Sequence, residues 1–288
     1  MFQPFPFALL RTPLQSLQKV HHHSLQKSIP IFEEGIYLSS PEFWQEWEKR
    51  NTLTGKAKEK LERTYNKYWL RSCMRCTPYG TFAGCTVSDI TDNETSLCLN
   101  DNHQHIRRIR LDMNYMAEMI QAILQMPTIQ NQIKFYSNNS LYELPDAFRY
   151  AEYTILNNTR SYHLTSIQKT NYIKTILYEA ESGKTFEELI NILLLSEDVS
   201  KEEATDFIIN MWHSQLLIPE LDPCVTGKEP LDQLIDQLIP LQGVDELLAQ
   251  LKKIQHLTQY PQEGIAYYQS IEQELKNLGL TAELPKNT

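Results

Sequence analysis

Arg63, Lys67, Arg71 and Arg75 recur every four residues ahead of the turn Thr77-Pro78-Tyr79-Gly80. Cations on that spacing share one face of a helix. Like charges at i,i+4 repel by about 0.2–0.5 kcal/mol per pair. No carboxylate stands three or four residues before Lys67, Arg71 or Arg75 to relieve them. Guanidinium forks match carboxylate and phosphate, so the chemistry on offer is the binding of an anion. The bland alternative is a solvated face, or arginines paired with acids distant in sequence. The adjoining turn favours a site. Pro78 disfavours the helical region for Thr77, and Gly80 tolerates positive φ, so the chain turns at the end of the cationic helix.

Other reactive residues offer less. Cys73, Cys76, Cys85, Cys98 and Cys224 are odd in number and scattered, which suits reduced thiols rather than a disulfide framework. Cys73 and Cys76 form a lone C-x-x-C with Arg75 between them and no second pair, a poor zinc pattern, and the run His21 to His23 reads as a polar loop. The reading is no metal site. No Gly-rich phosphate loop, G-x-S-x-G or H-E-x-x-H is present. With 288 residues, 41% of them hydrophobic, and a net charge of −9, the chain reads as soluble and able to bury a sizeable core. It has no apolar run of roughly 20 residues to span a bilayer and no secretory signal, so a cytoplasmic location is expected. The acidic balance opposes general affinity for nucleic acid but allows one local basic site. The basic residues cluster on the helix above and at 105–110.

The elements that must position these residues read as α+β. Three segments are expected: a mixed helix and antiparallel-sheet part at 1–132 that carries the basic helix, a winged helix-turn-helix-like unit at 133–222, and a helical segment at 223–288. In the first, a turn-rich region leads to a helix starting at Pro41 with Ser40 as N-cap. A long helix at about 56–75 buries Ala57, Leu61, Tyr65, Tyr68 and Ser72. Strands follow at 82–87, 96–99 and 105–111, then an amphipathic helix at about 114–126.

In the second segment, strand signals at 133–136, 140–144, 148–155 and 161–167, with a turn at Asn157-Asn158, precede helices at 170–180, 185–194 and 200–215. Thr185 with Glu188 and Ser200 with Glu203 are capping boxes. The third helix opens with Glu202, Glu203 and Asp206, carboxylates that a DNA-recognition helix would turn against phosphate. Capture of a peptide by strand addition suits the unit better: Tyr162 and Leu164 on the last strand, Phe207 and Met211 on the third helix. A subdomain without a ligand is the competing reading. Beyond the linker residues Pro223 and Gly227, apolar spacing predicts helices at about 231–255, interrupted at Gly243, and 262–278.

Several blocks together resemble a family. Arg11-Thr12-Pro13, Tyr37-Leu38-Ser39-Ser40-Pro41, Lys67-Tyr68 through Arg71 and Arg75 to Thr77-Pro78-Tyr79-Gly80-Thr81-Phe82-Ala83-Gly84, and Arg110-Leu111-Asp112 are similar in order and spacing to the N-terminal part of the lantibiotic dehydratases. The resemblance implies an enzyme that moves glutamate from glutamyl-tRNA to Ser and Thr hydroxyls of a ribosomally made precursor peptide, before a separate region eliminates it to leave dehydroamino acids. Carried over by position, it implies a catalytic set of Arg11, Arg71, Arg75, Thr77 and Asp112. The tRNA side falls to Arg63, Lys67, Arg71 and Arg75, and leader recognition to the winged-helix-like unit. Asp112 would pair with an arginine or serve as a base, pairing being the safer role.

No cofactor is expected beyond glutamyl-tRNA as co-substrate. The partners expected are glutamyl-tRNA, the leader of the precursor peptide, and either a missing C-terminal portion or a separate elimination protein; a homodimer is left open. Family members are several times longer, so the chain reads as an N-terminal piece that is inactive by itself. The alternatives are a non-catalytic leader-binding scaffold, favoured by the short length, and a related tRNA-dependent ligase that joins an amino acid to a peptide end.

Overall fold

The computed structural model describes residues 5–21, 29–91, 94–99, 104–156, 159–195 and 199–280. In chain order, these residues form β1 (Phe7–Pro13), α1 (Pro30–Ser39), α2 (Pro41–Glu48), α3 (Gly55–Met74), β2 (Ala83–Asp89), α4 (Met113–Leu124), α5 (Pro127–Gln130), β3 (Lys134–Ser137), β4 (Tyr142–Glu143) and β5 (Ala147–Leu156). Then come β6 (Thr159–Gln168), α6 (Asn171–Ala180), β7 (Lys184–Thr185), α7 (Phe186–Leu194), α8 (Lys201–His213), β8 (Leu217–Pro219), α9 (Pro230–Leu238), α10 (Asp245–Gln259) and α11 (Ile265–Asn277). The expected α+β class holds. Two compact units divide at 108/109 and 259/260, with residues 260–273 returning to the first and 274–280 to the second.

The first unit is organised by aromatic rings. Phe32 of α1 meets Tyr65 and Trp69 of α3 edge-on at 5.4 and 5.3 Å, and Trp47 of α2 stacks on Tyr65 at 3.8 Å. Such contacts add to the burial of large rings, so few side chains suffice to fix three helices. As expected, Ser40 caps α2, accepting from Phe43 N with Pro41 at the first helical position. The buried side of α3 is Leu61, Tyr65, Trp69, Ser72 and Cys73; Ala57 is exposed and Tyr68 half-buried, so the face is rotated from the expected one. β1 and β2 pair antiparallel with Arg11 opposite Cys85. Beyond β1, Leu14 N donates to Phe82 O and Gln15 N to Ser72 O, which ties this ribbon to α3.

Helix α1 stands where turns were expected. Its pattern is disguised by a buried carboxylate, Glu34, and by Gly35, both poor signals of a helix interior. The carboxylate is offset by Arg107, by Gly264 N at 2.8 Å and by the Tyr268 hydroxyl at 3.4 Å. Gly35 is there because a Cβ would lie 2.6 Å from Thr81 Oγ1 and 2.8 Å from the Phe82 ring.

Two expected strands are absent. Residues 96–99 and 105–111 are irregular, and among the described residues no strand pairs with them to complete a ladder; Ile106 is 86% exposed, and Arg107 is turned to Glu34.

In the second unit β3 is central in the antiparallel order β7-β3-β8, and β5 is central in β4-β5-β6. Phe135 on β3 packs against Phe186 and Trp212 at 5.2 and 5.6 Å, joining α7 and α8 to the sheet. The three helices α6, α7 and α8 follow the hairpin in the order expected of a winged helix-turn-helix-like unit. Both capping boxes form, and the backbone N–H groups of Thr185 and Ser200 hold the Glu188 and Glu203 carboxyls below their ordinary range. Leu234, Leu238, Leu251 and Ile254 of α9 and α10 join the same core as α4 and α6–α8. The expected turn at Asn157-Asn158 and the residues His22 and His23 lie outside the described residues.

Candidate functional site

The cationic helix is α3, and its four predicted cations are not equivalent. Arg63 and Lys67 are exposed, and Lys56 and Lys60 lengthen their line toward the N-terminus, a continuation that the four-residue spacing alone did not single out. Arg71 is half-buried. Arg75 keeps the last helical bond, from its N–H to Arg71 O at 3.0 Å, but its own backbone is extended (φ −112°, ψ 121°), so it leaves the helical face. Among the described residues none of Arg63, Lys67, Arg71 and Arg75 forms an ion pair.

Repulsion along α3 is modest beside what the helix end supplies. Cations in the last turn gain about 0.3–1 kcal/mol from the helix dipole, against about 0.2–0.5 kcal/mol lost per like-charged pair. Repulsion along the stripe therefore needs no bound anion to offset it.

At its end Arg71 lies over the Tyr79 ring, Cζ to centroid 4.6 Å, and Arg71 Nε is buried without a hydrogen-bond partner. Burial, with Tyr79 nearby, pushes the Tyr68 phenol up, while Arg71 opposes that shift. The turn is anchored by Thr81 Oγ1 donating to Ile31 O at 2.6 Å and by Phe82 N donating to Tyr79 O at 3.1 Å. Gly80 takes φ +53°, which an L side chain rarely adopts. Thr77 is exposed in this turn, and Arg11 is exposed on β1.

Asp112 belongs to the second unit and acts locally. Its Oδ1 caps α4, accepting from Asn114 N at 2.8 Å and Tyr115 N at 3.4 Å. Among the described residues it forms no ion pair, so the expected pairing with an arginine is not present. In the cluster expected to be basic, Arg107 is neutralised by Glu34 and flanked by Glu263 at 3.5 Å, and Arg108 and Arg110 remain exposed.

The hairpin of the second unit has two edges in opposite condition. On β5, Ala147 O accepts from Leu144 N at 2.8 Å, and Arg149 pairs with Tyr142 of β4. Ala151 N donates to Ser140 Oγ at 2.9 Å, and Ala151 O accepts from Asn138 Nδ2 at 3.3 Å. Tyr153 N donates to Gln215 Oε1 at 3.0 Å, and Tyr153 O accepts from Gln215 Nε2 at 2.8 Å. The outer edge of β5 is thus filled. Because Ala151 and Tyr153 turn their main-chain groups away from β6, their register partners Leu164 and Tyr162 must turn theirs away from β5. β6 is the end strand of its sheet, and the Tyr162 and Leu164 side chains are 66% and 63% exposed.

Of the other two residues expected to meet a peptide, Phe207 is half-buried against the core. Met211 is 3% exposed and lies within it, so it offers no surface as placed; the apolar spacing that suggested a binding wall is the packing face of α8. The helix meets the sheet at its C-terminal end, through Tyr150 Oη donating to Ser214 O and through Gln215. A cleft of about 210 Å³ opens there, lined among others by Gln121, Tyr153, Trp212 and His213, residues that no sequence pattern indicated.

One unit thus carries an unpaired cationic helix end, and the other an open-edged hairpin followed by three helices. That combination defines an α+β protein with exposed cations on one unit and an open sheet edge on the other. The chain belongs to the lantibiotic dehydratase N-terminal family, whose model, described as "Lantibiotic dehydratase, N terminus", matches residues 28–286. The epidermin biosynthesis protein EpiB of Staphylococcus epidermidis is 25% identical over 83% of this chain and 25% of its own length. The chain spans about a quarter of the curated relatives it matches.

Among solved structures, the tRNA-dependent lantibiotic dehydratase MibB from Microbispora sp. 107891 is similar with a TM-score of 0.70 and 17% identity, over 95% of this chain and 27% of that one. The glutamylation domain of TbtB from thiomuracin biosynthesis, bound to 5'-phosphodesmethylglutamycin, is similar with a TM-score of 0.54 and 15% identity, over 90% of this chain and 31% of that one. At these identities the likeness is one of fold. No helix among the described residues is long and apolar enough to cross a membrane.

Proposed function

We propose that this chain supplies the tRNA-facing cationic part of a site that transfers glutamate from glutamyl-tRNA to Ser and Thr hydroxyls of a ribosomally made precursor peptide. The observation that carries the proposal is the end of α3, where Arg71, last of the unpaired cations on the helical face, lies over the ring of an anchored turn with its Nε buried and without a partner. An aminoacyl ester is already activated, so holding it and stabilising charge can carry the transfer without a cofactor. In this reading Lys67 and Arg63 meet phosphates, Arg71 and Arg75 meet the acceptor end and the glutamyl carboxylate, and Arg11 and Thr77 complete the first unit's share. Asp112 serves by fixing the start of α4. The precursor's leader adds as a strand to β6; the filled β5 edge favours that side. A leader-binding scaffold is the second reading, and the open β6 edge by itself would satisfy it.

The test is glutamylation of a cognate precursor, read as gain in peptide mass, in a full-length enzyme carrying this sequence. Each lost charge-assisted contact costs about 1.5–3 kcal/mol, so Arg71→Ala/Arg75→Ala is expected to lower transfer a hundredfold or more while the protein stays folded. Transfer at the unaltered rate would reduce the stripe to a solvated face and leave the scaffold reading.

A further inference from the structure

We infer that Tyr79 is a stacking platform for the terminal nucleobase of an RNA acceptor end, with Arg71 packed behind it. The inference rests on the RNA-facing reading of α3 and adds which part of the RNA is held and by what.

Three observations converge on the ring. Tyr79 is 47% exposed although the turn that carries it is tied down just beyond the ring, by Phe82 N to Tyr79 O and by Thr81 Oγ1 to Ile31 O. An exposed aromatic on a fixed turn loses little freedom when it is covered. Arg71 lies over one face of the ring, its Cζ 4.6 Å from the centroid, while about half of the residue stays open to solvent. A cation on one face draws electron density from the ring and suits the opposite face to a flat, uncharged partner. Leu70 and Met74, 41% and 60% exposed, give the end of α3 an apolar character that Arg63 and Lys67, a turn or two earlier, lack. Phosphate-binding cations followed by an aromatic and apolar tip are the two halves of a single-stranded nucleotide site. A carboxylate or free phosphate would use the cations and ignore the ring; a peptide side chain would use the ring and ignore the cations.

The test uses the 288-residue chain and two RNA hairpins, one with a single-stranded 3′ end finishing in CCA and one lacking the last adenosine. Binding is followed by fluorescence anisotropy at several salt concentrations. The unaltered chain is expected to prefer the complete end by about tenfold, the scale of one base on an aromatic ring. Tyr79→Leu should bind both RNAs alike, with the salt dependence unchanged because no phosphate contact is lost. Tyr79→Phe should keep the preference. Tyr79→Leu retaining the full preference, or the unaltered chain showing none while its binding stays salt-dependent, would overturn the platform and leave the cationic reading standing. If Arg63→Ala/Lys67→Ala binds as tightly as the unaltered chain with the same salt dependence, the cationic reading fails and the platform falls with it.

Discussion

Gln215 stands at a position that helices ending in a left-handed residue usually give to glycine. Its φ is +58°, the left-handed region, and the bonds Gln215 N to Trp212 O and Leu216 N to Met211 O close α8 around it. A non-glycine residue there costs about 1 kcal/mol, so glycine would be the better cap taken alone. Glutamine is used because its amide bonds both main-chain groups of Tyr153 and fills the β5 edge. Two such bonds contribute about 1 kcal/mol each, and a buried group left unpaired costs more. Gln215→Gly is therefore expected to destabilise the chain by about 1–2 kcal/mol despite the easier backbone, measured by urea unfolding, and to expose a second open edge, seen as concentration-dependent self-association. A gain in stability would show the side-chain bonds to be incidental. Nothing local in the sequence announced this role. By contrast, the Thr185 and Ser200 caps were legible because donor, acceptor and spacing all sit within four residues.

At the scale of elements, legibility followed the purity of the pattern. Helices α6 to α10 bury aliphatic stripes and carry clear starts, and the sequence located them within a few residues. Helix α1 was hidden because its interior holds Glu34 and Gly35, whose reasons lie at Arg107, Gly264 and Thr81. The opposite error at 105–111 came from Ile106, Ile109 and Leu111 set among arginines, a composition that suits a strand although among the described residues none pairs with it. The first unit's dependence on aromatic packing has a pH consequence. Burial, first of all, raises Tyr65 to about 12 from an ordinary value of about 10, and Tyr37, Tyr68, Tyr267 and Tyr268 move the same way. The folded unit keeps these phenols neutral while the unfolded chain ionises them near pH 10, so their contribution is complete below that pH and is lost as pH rises toward the folded values. Stability is expected to be level up to about pH 10 and then to fall, by about 1.4 kcal/mol per pH unit for Tyr65 between about pH 10 and 12, with the other tyrosines adding in the same direction. Base titration followed by phenolate absorbance and circular dichroism should show ionisation coinciding with unfolding; phenolate formation well before any loss of helix would contradict it.

On the proposed reading, two kinds of recognition fall to two compact units, and salt should tell them apart. On α3 the groups offered are exposed charges, and each phosphate they neutralise makes affinity fall steeply with ionic strength. On β6 the groups offered are the main-chain donors and acceptors of Tyr162 and Leu164 and their exposed side chains, which salt screens little. Both surfaces sit on a chain of net charge −9, so loss of local positive potential is not made good elsewhere. Raising salt from about 50 to 200 mM is expected to cut RNA binding by a factor of ten or more while leaving binding of a cognate leader peptide within about twofold. Proline scanning sharpens the assignment: Leu164→Pro removes an edge-facing N–H and should abolish leader binding, whereas Leu164→Ala keeps it and should only weaken binding. RNA affinity should not respond to either change. Chemical-shift perturbation on adding leader should concentrate at Ser161 to Ile167. Perturbation confined to the first 115 residues, or leader binding as salt-sensitive as RNA binding, would move peptide recognition off the hairpin and leave the second unit a structural support.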